Sequence, residues 1–352
     1  MAPDRLEPGF VREGRFFALP LAVPGECDPI DPDASRLSAL ALSGDGCTVY
    51  ATTGGSACHV VQAALLGPVG LVQDLGTIPD ATALTCLAAI AADKTGDLLL
   101  VGARHAGGSR LWLGHTAHQF DTVQEPTLTY PDFSVAADLP GTILLDCTRD
   151  NEGSLLLLSD RGLARWALGH GLEWLIDDPR RFADVVPRLL PLPNGGAAWI
   201  AGDGTVGTWD GSTAGSLGRL PCAPGAGTTA CATSTGIAVF SGDGETWSVG
   251  RDGVRALGRT VLAPVAAAAA LADGRILACC GAGIAHWDCF EPATGRWRDL
   301  GAIVATLPQP RYGLQFAAIL PGAQGEMWLA EVDRGGCLWL YHPCWPAPAR
   351  NP

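Results

Sequence analysis

The sequence predicts an all-β protein built from one repeated unit, and three observations carry that prediction. First, one phrase recurs. A small turn residue, usually Gly, is followed by a short apolar strand, a polar or Gly-rich break, and a second strand bearing an aromatic. The copies begin at Gly46, Gly96, Gly153, Gly195, Gly236, Gly274 and Gly325. Their mean spacing is about 46 residues, the period of a propeller blade. Second, the chain is 47% hydrophobic and 17% charged, with 46 Gly and 26 Pro. That balance suits many short strands joined by tight turns, with little helix. Third, apolar strands such as Leu155-Leu156-Leu157-Leu158 are unbroken rather than alternating. A strand packed on both faces reads this way.

A lone blade cannot bury both of its faces, so the repeats must stack. The 352 residues are therefore expected to form one domain, a closed ring, with residues 1–14 and 346–352 as loose tails. Each blade should carry four antiparallel strands, A to D, from the central channel outward. The recurring phrases supply B and C. Strand A is expected at residues 37–42, 84–91, 142–148, 187–192, 228–233, 265–271 and 314–320. Strand D is expected at residues 69–75, 120–128, 173–177, 213–220, 254–257 and 297–300. The last repeat runs out at His342-Pro343 before a fourth strand, while residues 15–21 precede the first repeat without a blade of their own. Pairing that N-terminal strand into the last blade would close a seven-bladed propeller and remove an exposed edge.

The formal net charge is −13, which disfavours nucleic acid and anionic membrane as partners, because both require a basic stripe. Met1 to Gly14 is charged and contains proline without an apolar run, so no signal peptide is read. The compartment stays open, with the cytoplasm slightly favoured. No stretch reads as a transmembrane helix; the alanine run at 266–270 is short and ends in a turn. None of the 12 cysteines forms a CxxC pair. Cys47, Cys86, Cys147, Cys231 and Cys279 sit in strand patterns, as small buried hydrophobes do, whereas Cys27, Cys58, Cys337 and Cys344 fall near loops. His115 and His118 have no carboxylate or thiol beside them at ligand spacing, so no metal is expected. No phosphate loop or dinucleotide fingerprint appears, and no cofactor is expected.

Three segments resemble known propeller blades. Leu144 to Leu155, continuing through Asp160-Arg161-Gly162-Leu163-Ala164-Arg165-Trp166, is similar to a two-component-regulator propeller blade. Pro310-Arg311-Tyr312-Gly313 resembles a kelch blade start. Phe290 to Gly301 is similar to a hairpin of propeller enzymes and polysaccharide-lyase propellers. Trp209-Asp210 and Trp287-Asp288 sit where WD-repeat proteins place that dipeptide, but the matching Gly-His is absent and that family is not assigned.

In such a fold the B-to-C and D-to-A loops gather around the channel mouth, and function there is loop-borne. Arg104, Arg161, Arg181, Arg311 and Arg334, with Glu331, are the candidate substrate-binding residues on that face, and His105, Tyr130 and Tyr312 the candidate catalytic ones. Guanidinium forks bind carboxylates. A neighbouring Tyr or His moves a proton. The lyase resemblance implies β-elimination on a uronate sugar. Each arginine alone also suits a structural pair with a nearby aspartate, as in Asp160-Arg161 and Asp333-Arg334. Two readings follow, and whether the protein is an enzyme stays open between them. One is a carbohydrate-directed propeller taking an acidic sugar or small ligand, as a lyase or a binder. The other is a non-catalytic scaffold for a protein partner or a small-ligand sensor, with Phe133 and Trp345 as the nameable loop aromatics.

Overall fold

A computed structural model describes residues 9–11, 14–20, 36–43, 48–54, 58–66, 69–93, 96–117, 131–150, 152–192, 195–280, 286–302, 316–321, 327–331 and 337–343. Strands β1 (Gly9–Val11) and β2 (Gly14–Pro20) come first. Sheet one is β3 (Arg36–Leu42), β4 (Thr48–Gly54), β5 (His59–Leu66) and β6 (Val69–Thr77). Sheet two is β7 (Ala83–Asp93), β8 (Gly96–His105), β9 (Gly108–Ala117) and β10 (Ser134–Pro140). Sheet three is β11 (Leu144–Arg149), β12 (Leu155–Ser159), β13 (Gly162–Ala167) and β14 (Gly171–Asp177). Helix α1 (Pro179–Phe182) precedes sheet four, which is β15 (Leu190–Pro191), β16 (Ala197–Ile200), β17 (Thr205–Trp209) and β18 (Ala214–Arg219). Sheet five is β19 (Thr229–Thr233), β20 (Gly236–Phe240), β21 (Glu245–Gly250) and β22 (Gly253–Arg259). Sheet six is β23 (Val265–Ala270), β24 (Ile276–Cys280), β25 (His286–Glu291) and β26 (Arg296–Ala302). The remaining strands are β27 (Phe316–Pro321), β28 (Met327–Glu331) and β29 (Cys337–Pro343). They join β1 and β2 in a five-stranded sheet of order β1-β2-β29-β28-β27.

The unbroken apolar strands behave as their sequence demands. In β12, Leu155 and Leu157 enter the core shared with sheet two. Leu156 and Leu158 enter the core shared with sheet four. Successive side chains point to opposite faces, so a strand sandwiched between two neighbouring sheets must be apolar at every position. Similar cores join sheets one and two, four and five, and five and six.

Outer strands carry a second repeat signal. In β6, β18, β22 and β26 the register shifts at Leu75, Leu217, Leu257 and Leu300. Each of these leucines is followed by glycine. At Gly76, Gly218 and Gly258 φ is positive (108°, 144° and 88°), which glycine adopts without a Cβ penalty. The bulge bends the outer strand and adds twist.

One buried polar network ties sheet one to sheet two. Tyr50 donates its hydroxyl to Asp97 Oδ2 at 2.9 Å and lies 3.1 Å from Thr116 Oγ1, with all three residues buried. Tyr50→Phe removes a donor from a buried carboxylate. It should lower stability by about 1–3 kcal/mol, measured as a fall in the urea midpoint at unchanged m-value.

Two sequence expectations need correction. The strand on the outer edge of sheet two is Ser134–Pro140, not residues 120–128, which lie outside the described residues. The segment from Pro131 to Gly141 has turn residues at both ends and reads as a loop. Its core is decided by contacts instead: Leu139 is buried, and Phe133 packs against Gly114, whose added Cβ would stand 2.6 Å from its ring. Phe133 is therefore no exposed loop aromatic; it packs, half-buried, against the core of sheets one and two. At the N-terminal end, β1 pairs with β2 (Phe10 opposite Arg15) because the outer edge of β2 offers unpaired backbone groups.

Candidate functional site

The B-to-C turns and the residues that follow each D strand are tied together by backbone hydrogen bonds. Gly141 N–H donates to Gly107, Asp178 to Arg161, Leu220 to Gly204 and Thr260 to Gly244. These loops therefore share one end of the sheets. Asp203 and Asp243 stand in the turns of sheets four and five, and the Arg219 and Arg259 Nε–H groups donate to their carbonyl oxygens at 3.0 and 2.9 Å. Sheet three reverses the charges. Arg161 occupies the turn and pairs through both nitrogens with Asp177 at the end of β14, at 2.8 and 2.6 Å. The pair raises the Arg161 pKa and lowers that of Asp177. Arg161 does not pair with Asp160, whose Oδ1 instead accepts the Ile143 N–H at 2.8 Å.

Arg104 and His105 end β8 on the same face, Arg104 exposed and His105 half-buried. His105 Nδ1 accepts the Gly107 N–H at 3.2 Å. Its proton therefore sits on Nε2, which is buried and meets no partner among the described residues. Arg181 lies on α1, which Asp178 caps by accepting the Arg181 N–H, with Pro179 opening the helix. Its guanidinium stands 5.7 Å from the centroid of the Trp199 ring and has no carboxylate partner among the described residues. Glu331 closes β28 opposite Phe316. Its side chain lies outside the described residues, as do Tyr130, Tyr312, Arg311 and Arg334. Tyr130 falls between β9 and β10 in the chain, so it no longer belongs to a D-to-A loop.

A feature absent from the sequence reading sits below this face. Inner strands of the sheets line an axial cavity of about 380 Å3, mostly alanine and leucine. Asp146 and Arg188 are its charged residues. Asp146 follows a bulge at Leu145, and the inner strands β3, β7, β23 and β27 are bulged as well. Its Oδ1 accepts the Cys147 N–H at 2.9 Å and its Oδ2 the Leu189 N–H at 2.8 Å. Burial pushes the carboxyl above its ordinary pKa, against the pull of the Arg188 charge and the two backbone donors. The signal was present in the sequence: one acid in the apolar run Leu144-Leu145-Asp146-Cys147. Cys231 lines the same cavity, and burial raises its thiol to about 12, which leaves it protonated and inert. No disulfide joins Cys58, Cys86, Cys147, Cys222, Cys231, Cys280 or Cys289, and Cys58, expected near a loop, is buried. No cluster of metal-binding side chains occurs among the described residues, and none of their helices is long and apolar enough to cross a membrane.

No family model matches the chain, and no curated protein matches it. Solved structures do. A catalytically inactive virginiamycin B lyase from Staphylococcus aureus with quinupristin matches with TM-score 0.63 at 10% identity, over 94% of this chain and 99% of that one. YCF48 bound to D1 peptide matches with TM-score 0.63 at 12% identity, over 95% and 97%. The WD40 β-propeller domain of Doa1 matches with TM-score 0.57 at 12% identity, over 88% and 93%. With its repeated four-stranded antiparallel sheets, the chain is a β-propeller.

Proposed function

We propose that this chain is a carbohydrate-directed propeller that takes an acidic sugar at the B-to-C loop face, with β-elimination as the reaction its groups fit. The carrying observation is the connection from Asp178 to Leu189. It stands Arg181 on Trp199 without a carboxylate partner among the described residues, and it brings Arg188 to Asp146 in the axial cavity. Elimination needs three parts: a cation against the sugar carboxylate, a base for the proton beside it, and a donor for the leaving oxygen. Arg181 and Arg188 suit the first. Asp146, its carboxyl raised by burial, suits the second. His105, half-buried at the end of β8 on that face, is the side chain nearest to hand for the third. That part differs from the proton-abstracting role the sequence suggested. A structural neighbour is itself named a lyase, which supports this reading only at the level of fold.

The reading includes one domain closed as seven blades, with the five-stranded sheet as the last. Supporting it, β2 pairs with β29 from Gly14↔Pro343 to Pro20↔Cys337, and β27 approaches both β23 and β3.

Incubation with a panel of uronate polysaccharides should release an unsaturated product seen by ultraviolet absorbance. Asp146→Asn and His105→Ala should each slow it by about 100-fold or more. No product and no binding across the panel would retire the sugar reading. A non-catalytic protein scaffold would then stand, for which Ile143 and Val261, exposed just before β11 and β23, are the apolar contacts.

A further inference from the structure

Sheets two and three meet along their inner strands, and two cysteines stand at that seam. Cys86 lies on β7 and Cys147 on β11, and both belong to the core the two sheets share. Alternation along β11 aims Cys147. Asp146 turns to the Leu189 N–H on the sheet-four side, so the next side chain points to sheet two. Two residues further along the same face, Arg149 Nη1 donates to the Ala89 carbonyl of β7 at 3.3 Å. Cys86 is aimed from the other side. It stands opposite Gly102 of β8, where an added Cβ would lie 2.5 Å from the Cys86 sulfur and 2.4 Å from Leu144 Cδ2 of β11. The sulfur therefore fills space that a glycine leaves open, against a side chain of sheet three.

The two thiols meet there. Burial is the main cause that pushes up the thiols of Cys58, Cys231, Cys280 and Cys289. At Cys147 the main cause is the Cys86 side chain within hydrogen-bonding reach; burial comes second, the Asp146 charge adds to it, and the Leu87 N–H pulls the other way. Cys86 is buried, whereas Cys147 is half-buried and lines the axial cavity of about 380 Å3. A small solute entering that cavity meets Cys147 first.

We propose that Cys86 and Cys147 form a reversible redox site that closes into a disulfide across this seam, with a peroxide as the oxidant. One sulfur, as its thiolate, attacks a peroxide oxygen and becomes a sulfenic acid; the O–O bond breaks, and water or an alcohol leaves. The second sulfur attacks the sulfenic sulfur, the S–S bond forms, and water leaves. The thiols give up two electrons and two protons, and the peroxide takes both. A thiol reverses the step by exchange. A thiol held protonated reacts slowly, so the pair answers sustained oxidation rather than a brief pulse. The inference stands whether or not the loop face takes a sugar.

The test holds the folded full chain in hydrogen peroxide without denaturant. Remaining thiols are alkylated in urea, and the digest is mapped by mass spectrometry before and after dithiothreitol. A peptide pair linked through Cys86 and Cys147 is expected, and reduction should release it. Cys222 is an exposed thiol that could join two chains, so Cys222→Ser should form the link equally. In Cys147→Ser, Cys86 should stay open to alkylation. The bridged chain should unfold at a higher urea concentration than the reduced one, because the bond closes a long loop of the unfolded chain. Absence of the linked pair while Cys222 is oxidised overturns the proposal. So does a link that forms only in urea or only when Cys222 is present, or a bridged chain less stable than the reduced one.

Discussion

Replacing Trp199 with alanine will lower the stability of this protein by about 3–5 kcal/mol, the cost of truncating a large side chain in a packed core. Trp199 is 0% exposed. It lies in β16, in the core between sheets three and four, with Phe182 tilted against it at 5.5 Å between ring centroids. Gly207 across the sheet makes room for the ring: a Cβ there would stand 2.3 Å from it. The indole also supports α1 from below, through Phe182 and the overlying Arg181. Two readouts should therefore move together: the denaturation midpoint, and the affinity for an acidic sugar at the loop face. A variant with full stability would contradict this packing. One that loses stability yet keeps uronate affinity would remove Arg181 from the proposed site.

The second large effect is at Asp288, and it depends on pH. This residue is 0% exposed in the middle of β25. Its Oδ2 accepts the Val261 and Leu262 N–H groups at 2.6 and 3.1 Å, fastening the connection that leads into β23. Oδ1 meets no N–H or O–H donor among the described residues. Burial raises the carboxyl above its ordinary pKa, with a further push from Asp299, against the pull of the two backbone donors. A carboxyl raised in the folded state binds more protons folded than unfolded. Its ionised form therefore costs stability above the raised pKa, and the cost fades as pH falls through that value toward the ordinary carboxylate range. Asp288→Asn keeps an oxygen for both N–H groups and carries no charge. Relative to the parent, the variant should gain stability as pH rises through the raised pKa, then level off. Asp288→Ala leaves two buried donors unpartnered and should cost about 1–3 kcal/mol for each, at every pH. Urea titrations of the three proteins across the acid-to-neutral range would measure this. Parallel curves for parent and Asn variant would refute the buried-charge account.

The same dipeptide shows where local reading stops. Trp209-Asp210 and Trp287-Asp288 are identical in sequence. Asp288 lies inside its strand and fastens a connection from the interior, whereas Asp210 lies just beyond its strand and caps an exposed turn through Ser212 and Thr213. The register of each aspartate against its neighbouring strand decides between the two roles. Sheet two teaches a related lesson: a strand of Ser, Val, Ala and Asp bounded by proline cannot be told from a loop until Phe133 and Leu139 find the core. The loop-face arginines were legible as residues and not as a set. Arg161, one of five expected there, is held by Asp177, while Arg188, which was not named, reaches Asp146.

Periodic apolar runs and their spacing determined the class of fold, because a strand buried on both faces needs every position apolar and a turn at each end. Those are properties of consecutive residues. Which cations stay unpaired, and which acids lie in the dark, was decided only by the tertiary structure. Arg161 meets Asp177 and Asp146 meets Leu189 across 16 and 43 residues of chain, and a charge is silenced or raised by what folds against it, not by what precedes it.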